Sequence, residues 1–367
     1  MITLKTKLLL FAVAVIIGAI FYLEDAKSIP SGDQEVIEIA KEDSSVVKKM
    51  RYPEARELSG IAGYLNTDDK EIKIADLIGK KVILLDFWTY SCINCQRTLP
   101  YITGWHEKYK DQGLEIIGIH TPEFEFEKVK DNVQKAIDKW GIEYPVVQDN
   151  DFGTWQAYGN RYWPRKYLID IDGFVVYDHI GEGGYEETER VIQEALKERS
   201  VKLAMEEDIA DDIIEVESDL VSGGRVNTPE LYFGAWRNDA YAGDKRVIGT
   251  QTLEEPTDPK LNILYLVGEW NIQKEYAEAI SEDAKIVLKY SSQDVFAVVA
   301  SDAEETVEVN RDNQSVGKEG GVDIGVGGLN IDIGERLYRI IEDTQSAEHI
   351  LEINTFNGMK FYAFTFG

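Results

Sequence analysis

The sequence predicts an α/β domain with a sheet covered on both faces, followed by an all-β sandwich and preceded by a single N-terminal apolar helix. Three observations carry this expectation. Between residues 58 and 200, strand-like apolar runs alternate with helical stretches. After Arg225 the helical signals fade, and short β-branched or aromatic segments follow one another between turns. Ahead of both, the run LLLFAVAVIIGAIFYL at residues 8–23 carries no charge.

The apolar run follows Lys5 and Lys7 and is closed by Glu24 and Asp25. As a helix it spans roughly 24 Å, slightly short of a ~30 Å hydrocarbon core. No pair of small residues at cleavage spacing follows it, so an uncleaved signal-anchor is expected, with cleavage as the alternative. The basic flank places everything after Leu23 outside the cytoplasm. Residues 1–23 are thus expected to be a transmembrane anchor and residues 24–57, polar and of mixed charge, a stalk.

From residue 58 the pattern becomes regular. Residues 62–80 read as a short hairpin ending at a Gly79 turn, and KVILLDFWTY at residues 81–90 as a strand buried on both faces. Residues 92–110 read as a helix with Pro100 inside it, LEIIGIH at 114–120 as a second buried strand, and 126–140 as an amphipathic helix closed by Gly141. A third strand is expected at 144–148 and a short helix at 154–158. Two further strands, 166–171 and 174–179, join across Asp172-Gly173, and a helix with glutamates at its start covers 185–199. This α/β domain is assigned residues 58–200. An acidic linker, residues 201–226, carries eight Asp or Glu between Leu203 and Gly224 and no Lys or Arg; it reads as solvated or as a loosely docked helix. The sandwich is assigned residues 227–367, with strands at 261–267, 285–290, 295–300, 306–309 and 359–366.

Composition limits what the chain does. Its 367 residues carry 39 Lys+Arg against 67 Asp+Glu, a formal net charge of −28. Phosphate contacts need a basic face, so general nucleic-acid binding is excluded. Only two cysteines are present, Cys92 and Cys95, which excludes a disulfide-stapled framework. Their value is therefore chemical.

Cys92-Ile93-Asn94-Cys95 follows a buried strand and opens a helix, the context that makes a CxxC redox-active. Free backbone N–H groups and the helix dipole stabilise a thiolate there. Cys92 is the expected nucleophile, and Cys95, one turn inward, the resolving thiol. Structural zinc needs four ligands, and the chain has no second CxxC and only four histidines, none in paired spacing.

The segment DFWTYSCINC resembles the thioredoxin superfamily signature, with Asp86 six residues before Cys92, Pro100 eight after it, and Trp163-Pro164 just ahead of KYLID. The lead-in EIKIADLIGKKVILLDFW and the insertion IIGIHTPEFEFEKVKDNV are similar to the TlpA/ResA-like redoxin branch. SCINC, HTPEFEFEK, YWP and the GEG-Y segment at residues 181–185 are similar to the extracytoplasmic C-terminal region of DipZ-type proteins. There a thioredoxin-like domain precedes a sandwich similar to a carbohydrate-binding module, whose ends NTPELYFGAW and FTFG resemble. The resemblance implies a thioredoxin fold, a buried Asp86 that takes the proton of the resolving thiol, and a cis-Pro164 that presents a backbone edge to a substrate disulfide. It also implies an acid near the cysteines at Glu123, with Glu125 and Glu127 competing for the place. Trp88 and Trp163 could wall the site, although core packing is the more usual fate of such aromatics. A lone His120 at a strand end is more often structural than catalytic. Trp236, Tyr232, Trp270 and Tyr276 could form a sugar platform, with core packing again the more usual use.

The expectation is a membrane-anchored, extracytoplasmic thiol–disulfide oxidoreductase that reduces protein disulfides, in cytochrome c maturation or envelope redox homeostasis. It needs no cofactor beyond the redox-active Cys92–Cys95 disulfide. DipZ-type proteins carry a multi-span part that imports electrons, and this chain has one apolar run, so a separate membrane electron donor of the CcdA/DsbD type is expected. A glycan at the C-terminal domain is a further possible partner. The alternatives are a thiol peroxidase-like redoxin, and a glycan-binding envelope protein with a non-catalytic first domain.

Overall fold

The structure, a computed structural model, describes residues 44–68, 70–206, 208–216 and 226–367. The expected anchor at 8–23 and most of the stalk lie outside the described residues; among those described, no helix is long and apolar enough to cross a membrane. The chain divides into two units, residues 1–51 and 52–367. In the first, α1 (Ser44–Arg51) ends in Lys48, Lys49 and Arg51, cations that suit a helix C-terminus.

The second unit opens with residues 52–57, expected as the end of the stalk. They instead join the sheet region: Glu54 bridges Phe174, and the Ala55 amide donates to Gly173 O at 2.8 Å. The α/β domain then runs β1 (Gly63–Leu65), α2 (Ile74–Leu77), β2 (Val82–Trp88), α3 (Ile93–Tyr109), β3 (Leu114–His120), α4 (Lys130–Trp140), β4 (Val146–Gln148), α5 (Gly153–Ala157), β5 (Arg165–Ile169), β6 (Val175–Ile180) and α6 (Tyr185–Lys202). Its sheet has the order β1-β4-β3-β2-β5-β6, with β2, β3 and β4 mutually parallel and β5 antiparallel to β2. Every residue of β2 is buried, as its continuous apolar run requires of a central strand. Alternation sends Leu84 and Trp88 to the face packed by α3, α4 and α6, and Ile83, Leu85 and Phe87 to the other.

Two expected elements differ. Residues 62–80 form no hairpin: Gly63–Leu65 pairs with β4, and residues 74–77 make a helical turn whose Ile74 and Ala75 amides are capped by the Glu57 carboxylate at 2.7 and 3.1 Å. The helix expected at 126–140 is split. Glu125–Lys128 is a separate 3-10 turn, because Val129 adopts an extended conformation before α4 starts. Past Lys202, where α6 ends, the described part of the acidic linker is not helical but docks on the domain. Lys108 reaches the Asp212 carboxylate at 3.1 Å, and the Ile214 amide donates to buried Glu189 at 3.0 Å.

The C-terminal domain is β-rich. It comprises β7 (Leu231–Tyr232), β8 (Gly249–Leu253), β9 (Leu264–Ile272), β10 (Ala277–Ala279), β11 (Lys285–Ser301), β12 (Glu305–Val307), β13 (Val309–Arg311), β14 (Gln314–Ser315), β15 (Ile324–Gly325), β16 (Gly328–Ile331), β17 (Gly334–Asn354) and β18 (Lys360–Phe366). The segments expected at 285–290 and 295–300 are one long strand, β11. Its first residues pair with β9 and its last with β18, so the nine-stranded sheet curls back on itself around an apolar core that includes Trp270, Phe233 and Phe361. A three-stranded sheet, β12-β16-β15, adds to it.

The two domains share a core. Tyr362 of β18 packs edge-on against Phe124 and Phe126, at centroid distances of 5.1 and 4.8 Å, and Val298 and Ala300 of β11 join the same cluster as Leu99 and Trp105 of α3. Beside this apolar contact, buried Arg97 of α3 lies 3.6 Å from buried Asp294 of β11, which also holds Arg339 of β17 at 3.2 Å.

Candidate active site

β2 ends at Trp88, and a buried loop through Thr89, Tyr90 and Ser91 leads to Cys92 and the start of α3. Cys92 is the N-cap of α3, in extended conformation, and its Sγ accepts the Cys95 amide at 3.2 Å. That hydrogen bond satisfies one of the orphan N–H groups of the helix start. Cys92 is partly exposed, Cys95 is buried, and both are free thiols. Burial, then the hydrogen bond and charge of Cys92, push the Cys95 thiol well up, so it reacts only when its proton is taken. Among the described residues, no His, Asp or Glu joins the cysteines in a set able to hold a metal ion.

Asp86 lies on the α3 face of β2, 1% exposed. Neither of its carboxylate oxygens has a hydrogen-bond partner among the described residues. Burial raises it to about 6, against a smaller lowering by Lys166. Its charge is one of the influences that raise Cys95. Lys166, directly opposite Asp86 in the β2–β5 ladder and itself buried, donates to Gly181 O at 3.3 Å. Sequence reading missed this residue, since only the strand register pairs it with Asp86.

The Trp163–Pro164 bond is cis. Trp163 lines the cleft beside Cys92, and its indole N–H donates to Thr121 O at 3.0 Å. Trp88, by contrast, is wholly buried core. His120 is buried too; desolvation drops it to about 3, and it stacks on Tyr90 and faces Thr89, so it is neutral and structural.

Glu123 lines the Cys92 cleft, but its carboxylate is taken by the second domain: Arg237 Nη1 at 2.6 Å and Tyr232 OH at 3.0 Å. The competing Glu127 is wholly buried under the cysteine loop. It accepts from Ser91 Oγ at 2.5 Å and from the Glu123 and Phe124 amides at 2.5 and 3.0 Å. Burial first, and Glu123 second, raise it to about 7. It pins the residue before Cys92 to the 125–128 turn. Of the four candidate platform aromatics, Trp270 is core, Tyr276 packs on Tyr362, Tyr232 faces the cleft under Arg237, and Trp236 alone is exposed. Tyr232 and Trp236 line one cavity, which Trp270 and Tyr276 do not reach, so the four do not share one surface.

Fold and site together define a dithiol redoxin: a thioredoxin-like sheet with a CxxC at the start of its central helix and a buried acid behind it. Residues 54–178 match the AhpC/TSA family, and residues 228–367 match the thioredoxin-like C-terminal domain family. The chain is 37% identical to the protein DipZ of Mycobacterium tuberculosis over 85% of its own length and 43% of DipZ. It is 32% identical to the thiol-disulfide oxidoreductase ResA of Halalkalibacterium halodurans, over 35% of this chain and 68% of ResA. It is 29% identical to the thiol-disulfide oxidoreductase YkuV of Bacillus subtilis, over 41% of this chain and 98% of YkuV. The chain belongs to the thioredoxin-like thiol-disulfide oxidoreductase family, and it spans less than half the length of the DipZ proteins it matches.

Proposed function

We propose that the protein reduces protein disulfides by dithiol exchange at Cys92 and Cys95. The observation that carries this reading is the pairing of a partly exposed, N-capping Cys92 with a buried Cys95 that has an unsatisfied carboxylate, Asp86, behind it. The Cys92 thiolate attacks one sulfur of the client disulfide. The client S–S bond breaks, a Cys92–client bond forms, and the leaving thiolate takes a proton. Cys95 passes its proton to Asp86 and attacks Cys92 Sγ. The second client thiol leaves, and the Cys92–Cys95 disulfide holds the oxidation that the client has lost.

Several finer assignments belong to the same proposal. The apolar run at 8–23 anchors the chain, and the domains lie outside the cytoplasm. Electrons return from a separate membrane donor of the CcdA/DsbD type, and the clients belong to cytochrome c maturation or envelope redox homeostasis. The basic flank of the run and the likeness to DipZ and ResA support these assignments. The match to the AhpC/TSA family supports a second reading, peroxide reduction at Cys92.

Trapping tests the proposal. Cys95→Ser leaves Cys92 able to attack but unable to release, so mixed disulfides with client proteins accumulate, while Cys92→Ser traps none. Absence of trapped species in both oxidising and reducing conditions would overturn it. Peroxide turnover that persists in Cys95→Ser would favour the second reading. A reporter fused after residue 60 is expected to be active only outside the cytoplasm.

A further inference from the structure

The second domain forms one wall of the cleft that holds Cys92. The cleft at Cys92, about 370 Å³, has Arg161 and Trp163 on one wall and Tyr232, Arg237, Val298 and Ala363 of the β-rich domain on the other. A second cavity of about 240 Å³ continues it toward Phe152, Trp236 and Lys274. The two meet at a waist that both share, made of Glu123, Trp163, Tyr232 and Arg237. At the waist Arg237 is bonded to Glu123 across the domain boundary and lies 3.7 Å over the Tyr232 ring. The wall is held by the apolar Tyr362 contacts and the buried Arg97–Asp294 pair, so it does not swing away cheaply.

We propose that this two-domain groove selects its client by shape: it admits a disulfide on an extended, unfolded stretch of polypeptide and rejects one on the convex surface of a folded protein. The inference rests on the disulfide-reductase reading and deepens it. An extended chain fits because the groove is elongated and starts at the nucleophile. Its far end and rim offer exposed aromatics, Trp236 at 54% and Tyr162 at 50%. Its charges are of both signs, with Arg161 and Lys274 set against Glu230 and Glu275. Such a lining suits backbone and mixed side chains rather than one ionic ligand. The Glu123–Arg237 pair sets the width of the waist and is the specificity determinant.

The test uses the full chain, reduced beforehand, in single turnover against one disulfide-bonded protein prepared folded and, through a destabilising substitution remote from its cysteines, unfolded. Each rate is divided by the corresponding rate with dithiothreitol, which removes the intrinsic protection of the folded disulfide. The wild type is expected to prefer the unfolded form by at least about tenfold. Arg237→Ala and Glu123→Gln, which break the waist from opposite domains, are each expected to shrink that preference about threefold or more, while Arg237→Lys retains it. A normalised preference near one in the wild type overturns the proposal, as does a preference unchanged in both Arg237→Ala and Glu123→Gln. The small aromatic disulfide 5,5′-dithiobis(2-nitrobenzoate) separates the two levels: if the wild type does not attack it, the reductase reading itself fails.

Discussion

Asp86 and Lys166 face one another across the β2–β5 ladder, both buried beneath the helix that carries the cysteines. The pair is uneven. Burial opposes the charge on both groups, raising Asp86 to about 6 and lowering Lys166, while each partner's charge offsets only part of that effect. Asp86 therefore titrates where a proton acceptor is useful, instead of remaining locked as an anion.

The first prediction concerns stability. The folded state holds the Asp86 proton up to about pH 6, whereas an unfolded aspartate releases it near 3.8. Between these values the folded chain binds more protons, so stability falls as pH rises through that window and stays lower above it. The loss amounts to roughly 3 kcal/mol if Asp86 acts alone. Asp86→Asn removes it. Denaturant unfolding is expected to show the variant more stable than wild type at pH 8, with the difference shrinking by pH 4.

The same substitution should slow chemistry. Release of a client from its mixed disulfide needs the Cys95 proton to leave, and the acceptor is ionised only above about pH 6. The resolution rate, read by stopped-flow tryptophan fluorescence, is expected to rise through pH 6 in wild type. In Asp86→Asn it should fall by about 10²-fold or more and lose that inflection. Lys166→Met removes the cation that lowers Asp86, so the inflection is expected to move up by on the order of one pH unit. An unmoved inflection would show that Lys166 only fills space.

Glu127 gives a test of the loop before Cys92. Its oxygens receive the Ser91 hydroxyl and two backbone amides, all donors. Glu127→Gln swaps one acceptor for an NH₂ that faces those donors. The variant is therefore expected to lose about 1.5–3 kcal/mol in chemical unfolding, despite its near-identical shape. Alkylation of Cys92 by iodoacetamide should change rate in parallel, since Ser91 positions it.

What could be read from the sequence is what lies close together along the chain. The strand–CxxC–helix order exposed Cys92 and Cys95 by itself, and the resemblance to the thioredoxin superfamily added Asp86, within ten residues of them. Lys166 depends on a register between strands 80 residues apart, and no local pattern marks it. Arg237 and Tyr232 belong to another domain and reach the cleft only through interdomain packing. The 21-residue strand β17 escaped notice because much of its length is polar and at least partly exposed, so it shows no clean alternation. The expected hairpin at 62–80 failed for a related reason: Gly79 does mark a turn, but β1 finds its partner in β4 and not in its neighbour.

The domain interface yields the last prediction. Asp294 is 1% exposed and lies between two guanidinium groups, Arg97 at 3.6 Å and Arg339 at 3.2 Å. Arg97 also meets Glu182 at 3.5 Å, so the ion network runs from the end of β6 through the cysteine helix into β11 and β17. Removing the central anion leaves two buried cations near one another, with Glu182 at 3.5 Å from Arg97 and Glu342 at 3.1 Å from Arg339 as acids that still face them. Asp294→Ala is therefore expected to cost about 3–5 kcal/mol, more than a cavity of that size alone would impose. The loss falls on the contact between domains rather than within either core. Wild-type unfolding, followed by far-UV circular dichroism, is expected to be a single cooperative transition. Asp294→Ala should separate it into two, with Cys92 becoming more accessible to iodoacetamide in the first. A variant that loses stability but still unfolds in one step with Cys92 unchanged would place the cost inside the β-rich domain, and the ion network would then not be what holds the wall of the cleft in place.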